Sequence, residues 1–170
     1  DASNILIAKG FRVYLSDHTS YFTNAKKIEN ANTWTKNFPR NIKVFATHTR
    51  THPPGAVLIF YGSIKLMERV PGVSRAFVAV LPRGGESLSR FNMSPSQAAG
   101  GALCGLLLFL SAVLAVPLTF SIGRIITNEN NAALGAMLFA AIPAFSHKTP
   151  ILDHGLALLI LLSLWLVISS

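Results

Sequence analysis

Charged side chains are scarce in this chain of 170 residues: 13% are Asp, Glu, Lys or Arg, whereas 51% are hydrophobic. Soluble domains carry about a quarter charged residues. The segment from Phe91 to Gly123 has no charged residue at all. Because about 20 apolar residues cross a bilayer as a helix, this segment is long enough to span one, and the composition indicates a membrane protein.

Cysteine is almost absent as well. The single Cys104 excludes an intramolecular disulfide framework and a multi-cysteine zinc site. It lies within an apolar segment, where a small packing residue is the plain interpretation.

Acidic residues number only seven against 15 Lys and Arg. Residues 1–97 hold 13 of those basic residues and five of the acids, so they carry the whole net charge of +8. A basic surface beside a membrane suits a phosphate-bearing partner or anionic lipid. No nucleic-acid-binding module is recognisable among the basic residues, so nucleic acid is not expected as a partner.

The two ends of the sequence suggest a piece of a longer chain. It opens on Asp1 without the pattern of a secretory signal, and it stops at Ser170 within an apolar run. We therefore expect an internal fragment of a larger membrane protein.

The polar region begins with a helical pattern. Ser16 can cap a helix in which Tyr21, Ala25 and Ile28 share one face. Residues 30–51 are rich in Asn and Thr and predict a loop, with a short element near Trp34 to Phe38.

A double proline divides this region from the next. Pro53 and Pro54 end any helix before them and suit the start of one after them. The run from Gly55 to Val70 predicts a helix that is too short to span and lies at the membrane interface. Residues 71–97 predict a connector rich in Pro, Gly and Ser.

Three apolar segments follow, at about 98–122 (broken by Pro117), 132–146 and 155–170. They predict three spans. The fold class expected is an all-α, multi-pass integral membrane protein: a fragment of a multi-span helical bundle. Residues 1–97 would form an outer, extramembrane loop region with short interfacial helices, and residues 98–170 the transmembrane region.

The number of spans predicts which polar segments share a compartment. Two spans separate the N-terminal region from the loop 146–154, so residues 14–55 and this loop face the same side, provided that 56–81 does not cross. Each segment holds an acid next to a histidine, Asp17-His18 and Asp153-His154. Charged groups at membrane level are usually functional.

Three motifs, in this order around the apolar segments, resemble a known family. They are LSDHTSYFTNAKKI (15–28), THPPGAVLIFYGSIKLME (51–68) and AAIPAFSHKTPILDHGLALLILLSLWLVI (140–168). They are similar to the first outer loop, the His-Pro-Pro segment and the Pro-Ser-basic-Asp stretch of the GT-C superfamily of membrane glycosyltransferases. The branch concerned includes dolichyl-phosphate mannosyltransferase-like, aminoarabinose transferase-like and RgtA/B/C/D-like enzymes.

The resemblance implies an enzyme that moves a sugar from a polyprenyl-phosphate carrier to a lipid or protein acceptor. It also implies an active site on the outer or lumenal side, in contact with membrane lipids. Residues 14–55 and 146–154 would then lie outside and 124–131 inside, against a naive positive-inside interpretation of the basic N-terminal region.

Two acids are the candidate catalytic residues. Asp17 stands where the resemblance places the first-loop acid, which would take a proton from the acceptor. Asp153 would bind the acceptor or orient neighbouring groups. The structural alternatives stay open: Asp17 as a residue that favours the helix dipole, and Asp153 as a helix cap at a membrane boundary.

Five basic or titratable residues are candidates for substrate binding. His52, fixed by the prolines after it, would bond a phosphate or a sugar hydroxyl, and His18 stands where the family often has a second acid. Arg50, His147 and Lys148 would hold the lipid phosphate. The alternatives are a structural histidine at 52 and interfacial snorkelling of the cations.

No cofactor is expected, and a divalent metal stays open as an alternative. His48 and His52 are four residues apart, but two ligands are too few for a zinc site and the prolines end any helix there. Two other function classes also stay open. One is a transporter or channel fragment with an outer vestibule, and the other is a membrane-tethered binding module without chemistry.

Overall fold

The computed structural model of the chain describes residues 20–45, 47–80, 92–142 and 152–170. Within these ranges every regular element is helical and no strand occurs, which confirms the all-α class. A 3-10 turn, Ile42–Val44, lies between the second and third helices. The described residues form eight α-helices: α1 Tyr21–Ala25, α2 Ala31–Asn41, α3 Thr47–Thr51, α4 Gly55–Arg69, α5 Pro71–Val80, α6 Pro95–Ile126, α7 Glu129–Ala141 and α8 Leu152–Ser169.

The chain forms two compact units, Asp1–Cys104 and Gly105–Ser170. In the first unit the core forms where α1 packs against α4. The rings of Phe22 and Phe60 meet edge to face, with centroids 6.0 Å apart, and both side chains are fully buried. Such aromatic pairs contribute about 0.5–1.5 kcal/mol beyond the area that they bury. Tyr21, Ala25 and Ile28, predicted to share a face, are all buried.

The first turns of α6 close this core through two glycines. A Cβ on Gly100 would stand 2.7 Å from the Cα of Ile64, and one on Gly101 would stand 3.0 Å from Cε2 of Phe22. Because Ile64 presents its backbone at this point, no rotamer change can make room at Gly100. Glycine at 100 therefore lets two helix backbones approach closely.

The prediction of a loop over 30–51 is wrong for most of its length, and the short element predicted near Trp34 to Phe38 is present within the longer helix α2. Asn30 caps α2, its Oδ1 accepting a bond from the Thr33 amide at 3.0 Å. Trp34 and Phe38, one helical turn apart, pack against Phe45 after the 3-10 turn. A cap and an aromatic pair at i, i+4 thus outweigh the low helix propensity of Asn and Thr.

The double proline acts as predicted. Helix α3 ends at Thr51, and Pro54 is the N-cap of α4, which begins at Gly55. A proline lacks the amide hydrogen that a helix interior needs but suits a helix start. The helix predicted over 55–70 is present, and its position at an interface stays a prediction.

The predicted connector 71–97 is partly helical. Helix α5 occupies Pro71–Val80, and residues 81–91 lie outside the described ranges. Helix α6 begins three residues before the predicted start because Ser94 and Gln97 form a capping box. The Gln97 amide donates to Ser94 Oγ at 3.2 Å, and the Ser94 amide donates to Gln97 Oε1 at 3.0 Å.

Helix α6 runs unbroken through Pro117, so the predicted break at that residue is wrong. A proline removes one bond to the carbonyl four residues earlier and can leave the rest of the ladder of backbone bonds intact.

Buried small side chains, including Ala112 and Ala115, share one side of this part of the helix. The Ala132 backbone lies so close to Gly123 that a Cβ there would stand 3.0 Å from it.

Among the described residues, α6 is the one helix whose length and composition suit a bilayer crossing. Its 32 residues extend about 48 Å at 1.5 Å per residue, against a hydrocarbon core of about 30 Å. Helices α7 and α8, with 13 and 18 residues, extend about 20 and 27 Å. Membrane association is supported by α6, and a multi-span bundle stays a prediction.

Hydroxyl groups within the apolar helices bond to their own backbone. Each donates to the carbonyl oxygen four residues earlier, at 2.8–3.0 Å, so these four hydroxyl groups are satisfied within their own helix. The donors are Ser111, Thr119, Ser121 and Ser163.

We predict that two glycine-to-alanine changes have opposite effects on stability. Gly100→Ala should lower the free energy of unfolding by about 1–3 kcal/mol, because the added Cβ meets the Ile64 backbone. Gly62→Ala, on α4 with nothing within 4 Å of its Cβ position, should raise it by about 0.5–1 kcal/mol. Unfolding of both variants in one detergent, followed by circular dichroism, checks this. Equal stability of Gly100→Ala and the parent chain would contradict the close approach.

Candidate functional site

A cluster of hydroxyl and amide groups joins the start of α1 to α3. Ser20 Oγ and Thr49 Oγ1 lie 3.2 Å apart, and Asn24 Nδ2 donates to Ser20 Oγ at 3.2 Å. Asn24 Nδ2 also lies 3.5 Å from Thr49 Oγ1. Thr49 is only 1% exposed, and a buried hydroxyl needs such partners. These bonds fix α3 against α1.

Ser20 takes an unusual backbone conformation at this junction. Its φ is 45° and its ψ is 14°, in the left-handed region that non-glycine residues rarely enter. Its carbonyl oxygen accepts the Asn24 amide at 2.9 Å, the first bond of α1. Because its hydroxyl is shared with Thr49 and Asn24, Ser20 does not cap α1 with its side chain. The bonds of Ser20 therefore fix the start of α1.

His52 lies immediately after α3 and is half-buried. Its ring meets the ring of Tyr21 edge to face, with centroids 6.0 Å apart. Its Nδ1 lies 3.3 Å from the hydroxyl of Thr51. The imidazole is therefore oriented by a side chain of α1 and by the residue before it, while Pro53 and Pro54 fix the backbone that follows.

Arg50 lies on α3 between these groups and is exposed. Among the described residues the one ion pair joins Lys65 to Glu68, at 2.7 Å, so Arg50 has no acidic partner there. The planar fork of donors on this exposed guanidinium suits phosphate.

The first unit is positive near α1 as well. Lys26 Nζ lies 5.6 Å from the centre of the Phe22 ring, where it can make a cation–π contact. Partial burial, and to a lesser extent the neighbouring charge of Lys27, lowers the pKa of Lys26 from its ordinary value. Two lysines, Lys26 and Lys27, therefore follow one another at the end of α1.

Asp153 and His154 lie in the first turn of α8, so the loop predicted to reach residue 154 ends earlier. The Asp153 carboxylate is exposed at a helix N-terminus, where the dipole favours negative charge. His154 is only 1% exposed. A Cβ on Gly155 would stand 3.3 Å from Cδ2 of Leu108. Asp153 is the second residue of α8 rather than its N-cap, and its catalytic role stays a prediction.

The other predicted site residues lie outside the described ranges: Asp17, His18, His147 and Lys148. The predicted meeting of Asp17 with Asp153 therefore stays a prediction. Of the predicted substrate-binding residues, Arg50 lies on α3 and His52 follows directly after it. Within the described part of the chain, no group of three or more His, Cys, Asp or Glu could hold a metal ion.

Sequence reasoning missed Ser20, Asn24 and Thr49 as residues that build the site. A signal for the first two was available, because Ser20 and Asn24 are four residues apart and share a helix face. Their bonds to Thr49 join residues 25 and 29 positions apart in the chain. No local pattern indicates such a contact.

We predict that Thr49→Val loosens the junction of α1 and α3. The change keeps the side-chain shape but leaves the Ser20 hydroxyl and the Asn24 amide without this partner, which should cost about 1–3 kcal/mol of unfolding free energy. Thr33→Val, at an exposed position of α2, is the matched control and should change it by less than about 0.5 kcal/mol. Chemical denaturation monitored by circular dichroism compares them, and equal losses would argue against the cluster.

The site so defined combines an exposed guanidinium, an oriented imidazole and a part-buried hydroxyl cluster on one short helix and its neighbour. Guanidinium and imidazole groups can bind a phosphate, and an imidazole can also bond a sugar hydroxyl. No family model, no curated protein and no solved structure matches the chain.

Proposed function

We propose that this chain is part of a membrane glycosyltransferase of the GT-C kind. It moves a sugar from a polyprenyl-phosphate carrier to a lipid or protein acceptor, at the outer or lumenal face of a membrane that the protein crosses several times. One observation carries the proposal. The bonds of Ser20 and Asn24 to Thr49 hold the start of α1 beside the segment that bears Arg50 and His52.

The sequence places the candidate base next to this junction. Asp17 precedes Ser20 by three residues, and three peptide units extend at most about 11 Å. We therefore propose that Asp17 acts beside α3. This supports a site in which an acid and two phosphate-binding groups act on one substrate.

In the reaction we propose, the bond between the sugar C1 and the phosphate oxygen breaks, and a bond from C1 to the acceptor oxygen forms. The acceptor hydroxyl gives its proton to the Asp17 carboxylate. Arg50 and His52, with His147 and Lys148, hold the leaving polyprenyl phosphate, whose charge increases as the bond breaks. Asp153 and His18 contact the acceptor and the sugar.

Replacing the proposed base should abolish sugar transfer while the protein is still expressed. Asp17→Asn should reduce sugar transfer by about 10²- to 10⁴-fold, the usual contribution of a positioned base. Glu29→Gln, at an exposed position just after α1, should leave the rate within about twofold, because surface positions rarely matter. The assay uses membranes that contain the protein and a panel of radiolabelled polyprenyl-phosphate hexoses and pentoses. Transfer by Asp17→Asn at the parent rate would remove Asp17 from this role.

A change at Arg50 should weaken binding of the sugar donor more than it slows the transfer step. Arg50→Gln removes a charged hydrogen bond of about 1.5–3 kcal/mol, so KM for the polyprenyl-phosphate sugar should rise by about tenfold or more with a smaller change in kcat. Arg69→Gln, an exposed arginine at the end of α4, is the control and should change neither. An unchanged KM in Arg50→Gln would show that Arg50 does not hold the donor phosphate.

A further inference from the structure

A second feature of the first unit lies apart from this site, in residues 31–45, which we call the aromatic–basic element. Its core is three rings. Trp34 and Phe38 lie 5.2 Å apart, and Phe45 lies 5.4 Å from Phe38 with the two rings 23° from parallel. The 3-10 turn at Ile42–Val44 brings Phe45 back onto α2. The element therefore has a packed interior of its own.

Its outer surface is basic. Lys36 and Arg40 are one turn apart on α2, roughly opposite the side of Trp34 and Phe38 by helical geometry, and Lys43 follows in the 3-10 turn. All three side chains are exposed. No acid occurs anywhere from residue 30 to residue 67, so no neighbour in sequence neutralises them. Unlike the paired Lys65, none of the three has an ion-pair partner among the described residues.

An apolar side chain stands among these charges. Val44 is 82% exposed and directly follows Lys43. Exposed positive charge beside an exposed apolar side chain fits the boundary between headgroups and acyl chains. The same chain carries α6, which is long and apolar enough to cross a bilayer, so a membrane surface is available to the element.

We propose that the aromatic–basic element binds the headgroups of anionic phospholipids. The cations Lys36, Arg40 and Lys43 contact the phosphates, and Val44 inserts at the headgroup boundary. Nucleic acid, the other polyanion, fits less well. Its single strands bind by stacking bases on open aromatic faces, and here the rings stack on one another, with Phe38 buried.

The test measures which lipid surrounds Val44 in the whole chain. The buried Cys104 is replaced by alanine, and Val44→Cys carries a nitrobenzoxadiazole fluorophore. The protein is reconstituted into vesicles of phosphatidylcholine and phosphatidylglycerol, in which one lipid or the other bears a doxyl quencher at the same mole fraction. Since a basic residue near an anionic surface gains about fivefold in affinity, quenching should favour phosphatidylglycerol by at least about fivefold at low salt. The preference should shrink in 0.5 M salt.

Matched variants assign the preference to these cations. The triple change Lys36→Gln, Arg40→Gln and Lys43→Gln should abolish it. The triple change Lys27→Gln, Arg69→Gln and Arg75→Gln removes the same charge from exposed positions elsewhere and should retain it. The double change Lys36→Arg and Lys43→Arg keeps both charges and should also retain the preference. The single changes Lys36→Gln and Lys43→Gln should each weaken it, which keeps the test decisive if the first triple variant folds poorly.

Three results would overturn the proposal. They are equal quenching by the two lipids, a preference that survives the change of Lys36, Arg40 and Lys43, and a short single-stranded DNA that shields the fluorophore while the lipids show no preference. None of these measurements uses sugar transfer. Their outcome is therefore independent of the proposed glycosyltransferase activity.

Discussion

The contact between the Gly100 backbone and the Ile64 backbone is the constraint on which the first unit depends. It lets α6 approach α4 closely enough for Gly101 to lie against Phe22, whose ring meets Phe60 edge to face. This core holds α1, and α1 presents Ser20, Asn24 and Tyr21 to α3 and His52. The polar site thus depends on an apolar contact that contains none of its residues. A larger side chain at position 100 would therefore disturb the bonds of the hydroxyl cluster.

Some elements follow from local patterns in the sequence. The double proline predicts both the end of α3 and the start of α4, because it acts on the backbone whatever its surroundings. The uncharged run predicts α6, although not its true start, which the capping box of Ser94 and Gln97 sets. The helix break predicted at Pro117 is absent because a helix among apolar groups keeps its remaining backbone bonds even when one is lost. Breaking those bonds would leave polar backbone groups unsatisfied in an apolar medium.

Other elements cannot be predicted locally. Helix α2 has a composition typical of loops, and its stability comes from Phe45, which packs on it from beyond the 3-10 turn. The hydroxyl cluster joins positions far apart in sequence, so only the folded backbone brings it together. Arg50 and His52 were predicted as site residues because of their charge and the prolines beside them. Thr49, which fixes their helix, has no chemical signature that distinguishes it from other threonines.

The distribution of charge connects the two proposals. The stretch 30–67 has no acid, so an anion near α2 or α3 meets little repulsion from side chains in that stretch. What differs is the geometry around the cations. Arg50 directly follows Thr49 of the part-buried hydroxyl cluster and precedes the half-buried His52 by two residues, which favours one ligand with several polar groups in fixed positions. Lys36, Arg40 and Lys43 are exposed beside Val44, which favours many exchangeable headgroups. One acid-free stretch can therefore bind a specific phosphate at one end and a lipid surface at the other, because specificity comes from the neighbours of a charge and attraction from the charge itself.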